Sequence, residues 1–434
     1  MRKLGCVIQL LIATAMPLGS GHGQTSTTTI TNVNVVDVVS GTVLPNITVV
    51  ISRNRIAQIG RAPQVAIPEK TRAVNGLGKF LIPGLWDMHV HLGNATEAAF
   101  PLLLAAGITG VRDMGSPNYH TLRRWSVEAL SGARVGPRIV APGPMLTGAP
   151  AFYWQMYVAN PEEGRKAVDE LANEGVDFIK VTSSLNRDTY FAVADEARLV
   201  DLPLVGHLPE RTDGMGFTVS AVEASNAGHK SLEHLLGIPF NVESLQKDNP
   251  DLIATLLRNG TYICPTLVQY WARANIHELA ARGDPRVKHV APNLKLSWDA
   301  QMSLFPKSTQ VQQQVLQWRM AAIPVLNKAR VPLLAGTDLG FPYVFPGDLL
   351  KELELLGQAG LSPLEALRTA TINPARFLKV DSELGSVEAG KIADLVLLDG
   401  NPLEDIKNLR RLVAVIANGR FFDRASIETL VPNF

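Results

Sequence analysis

Six side chains in this sequence close apolar runs and are of the types that bind and use metal cations. The stretch Phe80-Leu81-Ile82-Pro83-Gly84-Leu85-Trp86-Asp87-Met88-His89-Val90-His91 reads as strand. Successive strand side chains point to opposite faces, so His89 and His91 share a face and aim two imidazoles at one point. Alone, such a pair is weak evidence. Four later runs end in the same chemistry: Asp-Phe-Ile-Lys-Val at Lys180, Leu-Val-Gly-His at His207, Ser-Leu-Glu-His at His234 and Leu-Leu-Ala-Gly-Thr-Asp at Asp338. Imidazole nitrogen and carboxylate oxygen are ligands for borderline and hard divalent cations. Each residue also has a bland reading. Lys180 could pair with Asp338 or Glu233, His234 could be a core histidine, and Asp338 could cap its loop.

The elements that must position these groups alternate. Strand signals at 107–114, 137–141, 176–182, 202–207, 229–235, 261–267 and 331–337 are separated by helix signals such as 119–131 and 161–174. With the first stretch they make about eight strand–helix units, the number for an α/β fold of the (β/α)8 TIM-like barrel type, whose chemistry sits at the carboxyl ends of the strands. No Gly-x-Gly-x-x-Gly turn follows a strand, which disfavours a doubly wound dinucleotide-binding sheet. Both chain ends read instead as short strands and turns, so the expectation is a small composite β-sandwich from 24–82 and 384–434 flanking a barrel over 83–383. The segments after Gly143 and after Leu267 read as long loops that would lid a pocket.

The order and context of these motifs resemble the amidohydrolase superfamily, in particular its prolidase-like and imidazolonepropionase-like members. Pro83-Gly84-Leu85-Trp86-Asp87-Met88-His89-Val90-His91 resembles the family's first-strand motif, and Ala335-Gly336-Thr337-Asp338 its last barrel strand. Leu361 to Thr371 followed by Asn373-Pro374-Ala375 resembles the next helix, and Gly385 to Leu395 the return to the β-domain. The resemblance implies a binuclear site. His89, His91 and Asp338 would hold the more buried metal, His207 and His234 the second, and an N6-carboxylated Lys180 would bridge two divalent ions, zinc being the expected metal. The carboxylation makes chemical sense, because an ammonium has no acceptor while its carbamate offers two anionic oxygens.

What the resemblance implies about activity is hydrolysis of a carboxamide C–N bond in a dipeptide, Xaa-Pro-like or N-acyl amino acid substrate. A metal-bridged hydroxide would attack and Asp338 would move the proton. Tyr153, Trp154, Tyr157 and Tyr270, with Phe152 and Trp271, are candidates for an apolar substrate pocket. Many relatives carry Gly-Gly-His after the position of Leu146-Thr147-Gly148, whereas here Ala149-Pro150-Ala151 follows, so that histidine is missing. A rival reading uses His207-Leu208-Pro209-Glu210, where Glu210 would act as general acid in a mononuclear deaminase or cyclic-amidine hydrolase. A metal-dependent binding protein without turnover is a third.

Composition bounds the rest. The chain has 434 residues, 46% of them hydrophobic, and a formal charge of +1, which gives no reason to expect nucleic acid as a partner. Arg2 and Lys3 precede an apolar run from Leu4 to Leu18 and small residues up to Gly23, the pattern of a secretory signal peptide over 1–23 and too short for a permanent membrane anchor. An exported, periplasmic or secreted protein is therefore expected. Cleavage would remove Cys6 and leave Cys264, so no intrachain disulfide could form. Assembly into a homo-oligomer is left open.

Overall fold

The computed structural model describes residues 27–431 apart from 96, 117–118, 150–154, 212–215, 240, 242, 244, 246–248, 303–304 and 307. The expected signal segment 1–23 and Phe152, Tyr153 and Trp154 lie outside the described residues. Among those described, no helix is long and apolar enough to cross a membrane.

Strands from both chain ends join in one eight-stranded sheet. Its order is Arg420–Asp423, Leu412–Ala417, Leu395–Leu398, Phe80–Pro83, Thr27–Asp37, Thr42–Ser52 and Arg55–Arg61, with Thr71–Asn75 also paired to Thr27–Asp37. The alternation of these strands explains their apolar content. Val33, Val35, Leu395 and Leu397 pack into one cluster, whereas Val36, Val38, Val396 and Leu398 join the main core. Strands covered on both faces need apolar residues at successive positions, and these have them.

The middle of the chain forms parallel sheets with helices between the strands. Leu85–Val90, Ile108–Asp113 and Arg138–Val140 make one sheet. Gln155–Tyr157, Met145–Thr147, Ile179–Val181, Leu204–Gly206, His229–Glu233 and Tyr262–Cys264 make another. The segment 332–339 ties the two together. Leu334 N donates to Ile263 O at 2.9 Å, Met88 N donates to Ala335 O at 2.9 Å, and Asp338 N donates to His89 O at 2.8 Å. The expected strand over 331–337 is reduced to isolated bridges. Its amides are diverted, Ala335 N to Thr369 O and Thr337 N to the Asp87 carboxylate, so no continuous ladder can form.

Helix Pro161–Glu174 follows its sequence signals closely. Asn160 caps it by accepting from Glu163 N, Pro161 sits in the first turn, and Gly175 ends it in the left-handed region. The segment after Leu267 departs from the expected long loop and is helical, over Leu267–Ala274, Ile276–Arg282 and Pro292–Met302. The buried Glu352 carboxylate starts it by accepting from Leu267 N at 3.0 Å and Val268 N at 2.6 Å, satisfying amides that a helix start otherwise leaves bare.

Candidate metal centre

The first-strand pair lies deep in the fold: His89 is buried completely and His91 is partly buried. Gly336 permits the close approach of the last segment. A Cβ there would stand 2.7 Å from His89 Cβ and 2.9 Å from His89 N. Lys180 is likewise buried, at 1% exposure, and Gly206 makes its room. That glycine has φ +124°, and a Cβ on it would come within 2.8 Å of Lys180 Cδ. His207 and His234 follow directly on their strands and belong to the same cluster. Ring centroids are 4.6 Å apart for His89 and His234, and 5.0 Å apart for His207 and His234. His234 and Asp338 hold φ of +59° and +62°, conformations that cost non-glycine residues on the order of 1–3 kcal/mol and collect at functional sites.

Every candidate histidine has its Nδ1 engaged on the side away from the cluster. The partners are Glu233 Oε2 for His89 at 2.8 Å, Gly115 O for His91 at 3.3 Å, Ser183 Oγ for His207 at 3.3 Å and Thr266 Oγ1 for His234 at 2.7 Å. A carbonyl or an ionised carboxylate only accepts, so Nδ1 of His89 and His91 carries a proton, and in the neutral His89 imidazole Nε2 presents a lone pair. Those two Nε2 atoms converge on one oxygen, Asp338 Oδ1, at 3.4 and 3.3 Å. His89 Nε2 is buried with no hydrogen-bond partner. The lone pair of neutral His89 faces a carboxylate oxygen and is repelled by it, and a divalent cation between them turns that repulsion into coordination. Ligand atoms of His89, His234 and Asp338 lie within 4.8 Å of one another, which fits a metal.

The electrostatics agree. Burial pushes the His89 imidazole down to about 4, and burial with the neighbouring Lys180 charge holds His207 well below its usual value, so both are neutral ligands near pH 7. Burial lowers His234 in the same way. Burial also disfavours charge on His91, but its contact with Asp338 wins and raises it. Burial alone would raise the Asp338 carboxyl, yet the His91 hydrogen bond and the surrounding imidazoles keep it well below the usual carboxylate range. Lys180 is brought down to about 8 by burial. No carboxylate among the described residues comes within ion-pair distance of it; Glu233, one bland partner, is taken up by Arg112 and His89 instead.

The structure thus brings together His89, His91, Lys180, His207, His234 and Asp338. The proposed pocket residues fare differently. Tyr270 is buried and donates its hydroxyl to His234 O at 3.0 Å, tying down the backbone of a candidate ligand. Tyr157 is exposed at the end of its short strand. Glu210 is exposed, with its amide donating to Ser183 O, and its side chain forms no hydrogen bond or ion pair with a histidine among the described residues. Trp271 is half-buried beneath Lys351 Nζ. Sequence reasoning missed Arg112 and the way Glu233 is used, although a charged residue inside each of two apolar strands was the available signal. Of the other histidines, His229 is buried against Tyr190, His120 is exposed and His277 is half-buried.

A parallel α/β scaffold with four imidazoles, a carboxylate and a buried lysine gathered at its strand ends defines a metal-dependent hydrolase acting on C–N bonds. Residues 80–422 match the amidohydrolase family, and the chain belongs to it. Ochratoxinase of Aspergillus niger is 26% identical over 86% of this chain and 82% of its own length. A structure from Bifidobacterium longum described as that of a prolidase superposes with a TM-score of 0.73 at 26% identity, over 94% of this chain and 98% of that one. An adenine deaminase of Clostridium botulinum is 22% identical over 92% of this chain, which spans 58% of the deaminase.

Proposed function

We propose that the protein is an exported binuclear zinc amidohydrolase that cleaves a carboxamide C–N bond next to a carboxylate, as in a dipeptide or an N-acyl amino acid. The observation that carries this reading is the convergence of the His89 and His91 Nε2 atoms on Asp338, with His89 Nε2 buried and unpartnered, beside a buried lysine that has no carboxylate within ion-pair distance among the described residues. In this reading the parallel segments close into a (β/α)8 barrel and the terminal sheet folds into a β-sandwich. When bound, the two divalent ions would polarise the substrate carbonyl and acidify water. His89, His91 and Asp338 would hold one ion, and His207 and His234 the other. Lys180 Nζ, neutral in part because burial lowers it to about 8, would add to carbon dioxide and release one proton, leaving an anionic carbamate between the sites. Asp338, kept ionised, would take a proton from the attacking water and deliver it to the leaving nitrogen.

Arg273 supplies a cation for the substrate's carboxylate. It sits on the helix that leaves the site at Thr266, with its guanidinium 4.7 Å from the Phe341 ring centre and 6.0 Å from that of Tyr270. Its Nε is buried without a hydrogen-bond partner, and it forms no ion pair among the described residues. The stacked rings hold the group in place for an anion.

The test is to load the protein with zinc and assay N-acyl amino acids, dipeptides and heterocyclic amidines, with metal content measured in parallel. Asp338→Asn should lower turnover by about 10²–10⁴-fold and reduce bound metal much less. An Asp338→Asn enzyme with wild-type turnover and both metals bound refutes the assignment. The adenine deaminase relative favours a second reading, a mononuclear deaminase using Glu210. One metal per chain and ammonia release from a purine would establish it over the first.

A further inference from the structure

The four histidines do not have equal support. His91 leans on a backbone carbonyl, and His207 and His234 lean on hydroxyls. His89 alone leans on a carboxylate, and that carboxylate is itself held. Glu233 Oε1 accepts from Arg112 Nη2 at 2.9 Å and from Ser231 Oγ at 2.6 Å, which leaves Oε2 for His89 Nδ1 at 2.8 Å. Arg112 is held in turn. Its Nε donates to Met88 O at 2.6 Å and its guanidinium lies 5.0 Å from the Phe377 ring centre. All three side chains are buried completely.

The backbone explains how one strand serves both edges of the same imidazole. Neighbouring residues on a strand normally face opposite ways, so Glu233 and His234 should not both reach His89. The left-handed φ of +59° at His234 breaks the alternation. Glu233 then meets the Nδ1 edge of His89, and His234 joins the cluster into which its Nε2 points. An anionic partner on Nδ1 fixes the tautomer and raises the basicity of Nε2 more than a neutral hydroxyl or carbonyl does.

Resting on the binuclear reading above, we propose that Glu233, clamped by Arg112, is the positioning residue that makes the His89 site the tighter of the two cation sites. Metal-free protein then fills in order, first at His89, His91 and Asp338, and then at His207 and His234.

Zinc and cobalt are titrated into metal-free protein against a chromophoric chelator, for the wild type, Glu233→Gln and the double variant Arg112→Met/Glu233→Gln. Wild type should show two binding events of different affinity. Glu233→Gln should weaken the tighter event about 10–100-fold and leave the weaker one in place, with a changed visible spectrum for the first cobalt bound. The double variant separates positioning from mere folding, because it also removes the buried charge that Glu233→Gln leaves unpaired. It should regain thermal stability over the single variant while its tighter event stays weak. Recovery of affinity together with stability would overturn the proposal, as would an unchanged tighter event in Glu233→Gln. Wild type that binds no metal would overturn the metal centre itself, and this inference with it.

Discussion

Adding one methyl group at Gly336 should separate what holds the metal centre from what holds the fold. The added Cβ would stand 2.6 Å from Cys264 Sγ, 2.7 Å from His89 Cβ and 2.9 Å from His89 N. Carbon atoms in contact sit about 3.5–4.0 Å apart, so each contact is short by roughly 1 Å. Cys264 and His89 are fully buried, and two of the three clashing atoms belong to the backbone or its first side-chain carbon, which no rotamer change can move. Overpacking of this kind costs about 1–3 kcal/mol. Relief must come from moving the 332–339 segment or the His89 strand, and either opens the spacing between His89 and Asp338. Gly336→Ala should therefore lower the unfolding midpoint measured at a fixed scan rate, and should lower bound zinc per chain out of proportion to that loss. The double variant Gly336→Ala/Cys264→Ala removes only the sulfur contact. It should regain part of the stability while zinc content stays low, because the His89 contacts remain. A Gly336→Ala protein with wild-type midpoint and full zinc would show that the segment is not seated as described, and would remove the geometric basis for joining Asp338 to the first-strand pair.

Three further outcomes follow from the site. Lys180→Met should lose bound metal and activity, and short carboxylic acids added to Lys180→Ala should restore part of both by replacing the carbamate. Because only the neutral amine adds to carbon dioxide and the Lys180 amine is brought down to about 8, reconstitution of the wild type at a fixed concentration of dissolved carbon dioxide should accelerate as pH rises toward about 8 and level off above it; rates that stay flat below pH 8 at constant dissolved carbon dioxide would exclude the carbamate. Arg273→Met should raise KM for an N-acyl amino acid and change kcat little, while KM for the corresponding N-acyl amino amide, which lacks the carboxylate, should not move. Equal effects on both substrates would make Arg273 a packing residue.

The candidate site was legible because it rests on two local rules, strand alternation and chemistry at strand ends. Its supports were not. His89-Val90-His91 share a face by simple period-two reading, and the apolar runs ending in Lys180, His207, His234 and Asp338 mark their own termini. Glu233 is different. Its use depends on a left-handed residue next to it and on Arg112, which comes from another strand 121 positions away in sequence. Tyr270 was read as a pocket aromatic because aromatic residues in apparent loops invite that reading. Here the loop is a helix, started by a carboxylate from Glu352, 85 positions removed from Leu267, and that start faces Tyr270 inward to His234 O.

These long-range choices share a physical cause. A ligand must meet a cation at a strand end, so its identity shows in the local run that carries it. The partner that fixes a ligand's tautomer has only to fill an empty hydrogen-bond position behind it, and any carbonyl, hydroxyl or carboxylate that the fold delivers there will serve. Gly115 O, Ser183, Thr266 and Glu233 are four different solutions to that one requirement. Of the four, only Glu233 brings a charge, and a buried charge had to be matched by Arg112, so that pair is the one support the sequence could have betrayed. Charged residues interior to apolar strands, beside but not at the candidate ligand positions, are accordingly where the proposed inequality between the two proposed cation sites should be sought first.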